Sequence, residues 1–271
     1  MKNSGTMPGK LGRALQITLA TLLLAGCACG RHDAERNGAT RVLFIGNSFT
    51  FYHDMPTMFA ELARASGHEV MVEVEAPSGQ TLSVHAVSAT TPERIASGDW
   101  DYVVLQEHSA MSIEQKTREE QMFPAARALD QMIRESGGRT ILFMTWGYRD
   151  GLPDKGFPDF ASMQAELNAG YVEIADQLGA IVAPVGIAWQ NGLAQESQLD
   201  LWDPDGGHPS ETGSYLTACV FYATIYRKSP EGLSYQAGLP ETTARLLQTV
   251  AAETVLADPQ RWNINNADTQ Q

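Results

Sequence analysis

Hydrophobic and polar positions divide the chain into short apolar runs separated by longer amphipathic segments. The apolar runs are typical of buried or half-buried β-strands and lie at residues 41–45, 69–75, 102–105, 140–146 and 180–185. Segments with helical periodicity lie at residues 55–62, 81–97, 117–135, 159–178, 211–227 and 240–256. This alternation predicts an α/β domain with five β/α repeats and a mostly parallel sheet covered by helices on both faces.

A different pattern occupies the amino terminus, where residues 14–26 form an apolar stretch behind three basic residues. The stretch is long enough for a signal-peptide core but short for a membrane-spanning helix, so we expect residues 1–26 to be a secretory signal. Residues 24–27 resemble a bacterial lipobox, which implies cleavage before Cys27 and acylation of that cysteine. Cleavage by an ordinary signal peptidase is the alternative. Ala28 resembles the corresponding residue of Gram-negative lipoproteins and implies an outer-membrane anchor that faces the periplasm.

The rest of the chain divides into a tether, one domain and a tail. Residues 27–40 are polar and aperiodic, which predicts a flexible tether, and the polar residues 263–271 predict a frayed tail. Residues 41–262 lie between them and are long enough to bury the core of a single domain. Loss of the signal removes three basic residues and no acidic one, so the formal net charge falls from −13 to −16. A surface this acidic excludes nucleic acid and electrostatic binding to anionic lipid from the expected partners.

Cysteine and histidine usage predicts neither a disulfide framework nor a metal site. With Cys27 acylated, Cys29 in the tether and Cys219 in a predicted helix are the other cysteines of the sequence. The six histidines are scattered and no paired-cysteine motif occurs. The sequence therefore predicts no metal and no cofactor.

The first predicted strand ends in a turn that carries a candidate nucleophile. Gly46-Asn47-Ser48 follows the strand at residues 41–45 and precedes the first helical segment. Glycine allows close approach and asparagine tolerates left-handed geometry, so the turn can present Ser48 at the carboxyl end of the strand. The alternative is that Asn47 and Ser48 only form a turn and cap the helix.

A second motif, far downstream, supplies the partners that a hydrolytic serine needs. A serine hydroxyl is a poor nucleophile without a neighbouring base, usually a histidine that a carboxylate orients. Asp205 and His208 are separated by two glycines in a compact turn, and Pro209 stiffens its exit. Alone this stretch is typical of a surface turn, but together with Ser48 it predicts a catalytic triad.

The two motifs resemble the first and last blocks of the SGNH (GDSL-like) hydrolases. Gly46-Asn47-Ser48 is a variant of the commoner Gly-Asp-Ser, and Asp-x-x-His-Pro at residues 205–209 matches the last block. The resemblance spans most of residues 41–228 and implies a three-layer α/β/α sandwich with a flavodoxin-like five-stranded sheet. It also implies that Ser48 is the nucleophile, His208 the base and Asp205 its orienting acid.

The family's third block, Gly-x-Asn-Asp, is absent, and residues 106–109, Gln-Glu-His-Ser, hold its place. The resemblance implies that the backbone N–H groups of Ser48 and Gly79 form an oxyanion hole, because the tetrahedral intermediate needs preorganised donors. Gln106 is the candidate third donor, since its amide is one methylene longer than that of the family's asparagine. The alternatives are that Gly79 only forms a turn and that Gln106 and Glu107 only shape a loop.

Candidate substrate contacts surround these motifs. Asn47, Glu107 and His108 stand beside the predicted catalytic and oxyanion groups. Trp146, at the end of the fourth predicted strand, is a candidate for stacking on a sugar ring or an acyl group, with plain packing as the alternative. His85 is assigned no role, because a lone helical histidine is more often a packed or surface residue.

Together these features predict a serine esterase. The expected location and the resemblance to the SGNH hydrolases, rather than particular residues, imply O-acetyl groups of envelope or extracellular carbohydrate as its substrate. The expected partners are that ester substrate and a membrane, which the protein reaches through lipidated Cys27. A lipase or thioesterase is the first alternative. A non-catalytic glycan-binding lipoprotein is the second, because the altered third block would then have lost the oxyanion geometry.

Overall fold

The computed structural model describes residues 38–264, and its centre is a sheet of five parallel strands in the order β2-β1-β3-β4-β5. The strands are β1 (Thr40–Ile45), β2 (Val70–Glu75), β3 (Tyr102–Leu105), β4 (Arg139–Phe143) and β5 (Ile181–Ala183). This order confirms the predicted flavodoxin-like sheet.

Helices connect successive strands and continue beyond β5. They are α1 (Ser48–Phe51), α2 (Met55–Ala65), α3 (Leu82–Val87), α4 (Thr90–Ser97), α5 (Ser109–Ser112), α6 (Gln115–Thr117), α7 (Phe123–Glu135), α8 (Phe160–Leu178), α9 (Val185–Gln195), α10 (Glu211–Tyr226) and α11 (Glu241–Leu256). Short 3₁₀ turns cover Tyr52–Asp54, Pro153–Lys155 and Pro259–Trp262, and a π-helical turn covers Arg118–Met122. Between residues 38 and 264, no helix is both long and apolar enough to cross a lipid bilayer.

The sheet is the buried middle layer of the domain. All four residues of β3 are buried, as a parallel strand covered on both faces should be. Phe221 of α10 packs edge-on against Phe44 and Phe143, with ring centroids 5.1 and 4.9 Å apart. Other helices form a second group, in which α3 and α4 pack on α7 and α7 packs on α8. Helices thus pack around the sheet from which the loops of the site emerge.

The strand order reverses beside β1, which lies between β2 and β3. Ile45, the last residue of β1, is paired with Glu75 on one side and with Leu105 on the other. Ligands of open α/β sheets bind outside the carboxyl ends of the strands at such a switch point. The loops after β1 and β3, which carry Gly46-Asn47-Ser48 and residues 106–109, therefore meet at this switch point.

The structure differs from the predicted elements in several places. The helical segment 81–97 is two helices, because Ser88 adopts an extended backbone and its hydroxyl accepts the Thr91 N–H. The fourth strand ends at Phe143, three residues before the predicted end. Helix α9 was not predicted, since its two glycines weaken the helical signal. A Cβ at one of them, Gly186, would lie 2.2 Å from the Thr145 carbonyl oxygen, so packing requires the glycine.

The described residues also bear on the predicted domain limits. β1 begins at Thr40, within the predicted tether, and the Ile264 side chain is buried beyond the predicted boundary at residue 262. The predicted signal peptide, the acylation site at Cys27, residues 28–37 of the tether and residues 265–271 of the tail lie outside the described part of the chain.

Candidate active site

The turn after β1 places Ser48 at the first position of α1. Asn47 caps this helix, and its side-chain Oδ1 accepts the Phe49 N–H at 3.1 Å. Gly46 is required at the start of the turn, because a Cβ there would lie 2.3 Å from Gln106 Oε1 and 2.6 Å from Thr50 Oγ1. An N–H at the first turn of a helix has no intrahelical acceptor, so the Ser48 N–H is suited to face an anion.

The triad residues predicted from the sequence lie within hydrogen-bonding distance of one another. His208 Nε2 is 2.9 Å from Ser48 Oγ, although 160 positions separate the two residues. On the other side of the ring, Nδ1 is 2.5 Å from Asp205 Oδ2. A carboxylate accepts only, so Nδ1 carries the proton and Nε2 is left to accept the serine hydroxyl. This is the arrangement that activates a serine.

Backbone contacts fix the orienting carboxylate. Asp205 Oδ1 accepts the N–H groups of Gly207 and His208, both at 2.9 Å, which leaves Oδ2 for the imidazole. Partial burial raises the pKa of Asp205, but hydrogen bonds from the His208 ring and from these N–H groups outweigh it and lower the pKa to about 2. Asp205 is therefore ionised at neutral pH.

Two aromatic rings that the sequence did not single out hold the imidazole. Tyr52 stacks on His208 with ring centroids 4.1 Å apart and an interplanar angle of 13°. Phe49 meets the same imidazole edge-on, at 5.3 Å and 82°. These contacts restrict rotation of the ring, and the face of an aromatic ring also stabilises a positive charge on the imidazole. Both residues follow Ser48 closely in the sequence, which was the available clue.

Trp146 was predicted to contact substrate, but its buried side chain instead positions the loop that carries His208. Its side chain is fully buried and stacks on Trp189, with centroids 4.2 Å apart and planes at 5°. Its indole Nε1 donates to the carbonyl oxygen of Gly207, the residue before His208, at 2.9 Å. The chain leaves β4 before Trp146, which turns the ring into the core. Packing, the alternative interpretation, describes this residue.

Gln106 holds the turn of residues 46–48, called the nucleophile turn after the candidate nucleophile that it carries. This geometry does not support the predicted role of Gln106 as an oxyanion donor. The side chain is fully buried. Its Oε1 accepts the Asn47 N–H at 2.7 Å and the Thr50 hydroxyl at 2.9 Å, while its Nε2 donates to the Glu107 carbonyl at 2.9 Å. The extra methylene brings the amide to the turn backbone, so the amide is engaged there and not at the site of the reaction.

Glu107 and Asn47 are also buried, so neither is placed to meet a substrate as predicted. Glu107 accepts the His108 N–H at 2.7 Å and the Leu82 N–H at 3.1 Å. Burial raises the pKa of Glu107 to about 7, against the opposing effect of these two hydrogen bonds. Asn47 Nδ2 donates to the Gln80 carbonyl at 2.8 Å. Both side chains therefore connect the loop after β2 to the other two loops of the site.

Gly79 lies in that loop, in an exposed turn with φ of +72°, a conformation that favours glycine. Its neighbour Gln80 is tied to Asn47 by the hydrogen bond just described. The structure thus brings the predicted second donor loop to the nucleophile turn. Donation from the Gly79 N–H to an oxyanion stays a prediction.

His85, which was assigned no role from the sequence, forms a hydrogen bond to the nucleophile turn. Its ring is fully buried, with Nε2 2.7 Å from the Gly46 carbonyl oxygen and Nδ1 2.9 Å from Thr91 Oγ1. A carbonyl accepts only, so Nε2 carries the proton and Nδ1 accepts the Thr91 hydroxyl. Burial lowers the pKa of His85, which keeps the ring neutral in this role.

Comparison with known proteins gives a family and a fold. The family model described as a domain of unknown function, DUF4886, matches residues 81–255. A protein from Slackia heliotrinireducens, provisionally assigned to the SGNH hydrolases, is 30% identical over 69% of this chain and 99% of its own, with a TM-score of 0.59. No match was found among curated proteins.

Two further solved structures share the fold. A DUF4886 family protein from Bacteroides uniformis has a TM-score of 0.71 at 20% identity, over 82% of this chain and 96% of its own. A variant of an acetyl-xylooligosaccharide esterase from Geobacillus has a TM-score of 0.51 at 15% identity, over 75% of this chain and 97% of its own. The chain thus has the α/β fold found in SGNH and GDSL-like hydrolases.

Proposed function

The chain belongs to the DUF4886 family, and from the contacts among Ser48, His208 and Asp205 we propose that it is a serine esterase. The observation that carries the proposal is the continuous hydrogen-bonded series from the Ser48 hydroxyl through the imidazole to the Asp205 carboxylate. A serine oxygen becomes nucleophilic when such a base takes its proton.

The proposed reaction follows the usual acyl-enzyme course. Ser48 Oγ attacks the ester carbonyl carbon while its proton moves to His208 Nε2. The positive charge that forms on the ring lies between the Asp205 carboxylate and the face of Tyr52. Collapse of the tetrahedral intermediate returns the proton to the departing alcohol. Water then attacks the acyl-serine with the help of the same base and releases the acid.

A fluorophosphonate probe tests this proposal, because it labels only an activated serine. We expect the full chain to be labelled and Ser48→Ala to lose the label. Ser197→Ala is a matched control, since Ser197 is exposed in the turn after α9 and should leave labelling unchanged. An unlabelled wild-type protein would refute the esterase and favour a non-catalytic glycan-binding protein.

We propose O-acetylated carbohydrate as the substrate class. Phe51 is 40% exposed beside Tyr52, which itself stacks on His208, so aromatic surface borders the triad. Exposed rings of this kind stack well on sugars. We expect acetate release from O-acetylated xylan and other acetylated glycans to exceed hydrolysis of p-nitrophenyl palmitate and of acyl thioesters. Faster turnover of either of the last two substrates would favour a lipase or a thioesterase.

We also propose that the protein is a lipoprotein of the bacterial envelope, anchored through Cys27 in the outer membrane and facing the periplasm. The support is sequence alone: a basic and apolar leader followed by Leu-Ala-Gly-Cys at residues 24–27. The test is cell fractionation. The wild-type protein should sediment with outer membranes, and Cys27→Ser should lose that association. An unchanged distribution of Cys27→Ser would refute lipid anchoring.

A further inference from the structure

His108 lies at the site, although no step described so far uses it. Its ring stacks on Phe49, with centroids 5.5 Å apart and planes at 24°, while His208 packs edge-on against that same phenyl ring. Phe49 directly follows Ser48 in the chain. His108 also takes the position of the asparagine in the absent Gly-x-Asn-Asp block, and Gln106, the predicted replacement, is engaged in the core.

The proton on the His108 ring can be assigned. Nδ1 accepts the Ala110 N–H at 3.3 Å, where His108 caps the short helix α5. Because Nδ1 accepts, the neutral ring carries its proton on Nε2. Burial and the nearby His208 lower the pKa of His108, which favours this neutral form.

The Nε2–H group is available to a ligand. Within residues 38–264 no acceptor lies within hydrogen-bonding distance of Nε2, and this nitrogen is not fully buried. His108 as a whole is half-buried. Because Nε2 has no partner and is not fully buried, part of its surface is open to solvent. A fixed and neutral N–H donor, on a ring that packs against the residue after the serine, is suited to a developing oxyanion.

We propose that His108 supplies the third oxyanion donor of the esterase, in place of the family's asparagine. This rests on the proposed function. As Ser48 Oγ bonds to the carbonyl carbon, the electron pair of the C=O π bond moves to the carbonyl oxygen, and His108 Nε2–H donates to that oxygen without giving up its proton. Collapse of the intermediate restores the carbonyl and ends the contact.

Two variants separate donation from packing. His108→Phe keeps an aromatic ring on Phe49 but has no donor, whereas His108→Asn supplies an amide donor. With p-nitrophenyl acetate we expect His108→Phe to lower kcat by about 10²- to 10³-fold with little change in KM, since an oxyanion donor acts in the transition state. We expect His108→Asn to be at least tenfold faster than His108→Phe.

Inhibition by phenylboronic acid gives a second readout, because its tetrahedral adduct with Ser48 places an oxygen where the oxyanion forms. His108→Phe should weaken this inhibition more than His108→Asn does. Wild-type kcat in His108→Phe, or equal loss in the two variants, would overturn the inference. Circular dichroism reports whether each variant is folded, and His108→Leu replaces the Phe variant if that one unfolds.

The same assay keeps the two proposals apart. If the wild type hydrolyses the ester no faster than Ser48→Ala does, the esterase itself is refuted and the role of His108 falls with it. If the wild type is active, Ser48→Ala is inactive and His108→Phe matches the wild type, the esterase stands and only the role of His108 is refuted.

Discussion

Asp205→Asn tests the geometry of the triad with the smallest possible change of shape. The backbone N–H groups of Gly207 and His208 will still find an acceptor in the asparagine Oδ1, so the loop should keep its conformation. The asparagine Nδ2, however, donates to the imidazole where the carboxylate accepted. Nδ1 must then accept, and the ring proton moves to Nε2, which can no longer take the proton of Ser48.

The expected loss follows from that tautomer. An orienting carboxylate replaced by its amide lowers kcat by about 10⁴-fold in serine hydrolases, or about 5.5 kcal/mol of transition-state stabilisation. Steady-state hydrolysis of p-nitrophenyl acetate measures it, and thermal unfolding should show a melting temperature close to that of the wild type. A variant that keeps kcat within tenfold of the wild type would show that Asp205 does not orient the base.

Three further perturbations test the surrounding contacts. Trp146→Phe removes the donor to the Gly207 carbonyl and should lower kcat about tenfold by loosening the His208 loop, measured with the same ester; an unchanged kcat would contradict the positioning role. His85→Phe leaves the Gly46 carbonyl without its donor and should lower the free energy of unfolding by about 1–3 kcal/mol in urea titrations; an unchanged value would contradict this role of His85. Glu107 has a raised pKa, so between pH 4.5 and about 7 the folded state holds a proton that the unfolded state has released. The free energy of unfolding should therefore fall as the pH rises through this range. Glu107→Gln should make the free energy of unfolding less dependent on pH there.

The fold was predictable because its signals are local. The buried runs of β1 and β3 and the helices between strands follow from apolar periodicity, and the predicted sheet is confirmed. Helix α9 was missed because close packing against the Thr145 carbonyl requires a glycine at position 186, and glycine is a poor helix former. Local pattern does not report such contacts.

The site divides in the same way. Ser48, Asp205 and His208 belong to short motifs that are typical of a catalytic triad, so the sequence alone could single them out. The structure brings the three side chains together. Their catalytic roles remain predictions. Gln106 was expected to donate outward, yet it points into the nucleophile turn. A sequence gives the order of polar residues after a strand but not the direction of each side chain. Gln106 and Glu107 are buried, whereas the next residue, His108, is only half-buried.

Three hydrogen bonds hold the nucleophile turn. His85 bonds to the Gly46 carbonyl, Gln106 accepts the Asn47 N–H, and the Asn47 side-chain amide donates to the Gln80 carbonyl. Since these links join parts of the folded chain itself, the loss of conformational freedom around the serine is incurred once, when the chain folds. Each turnover of the proposed reaction then starts from an ordered scaffold and has little reorganisation left to perform.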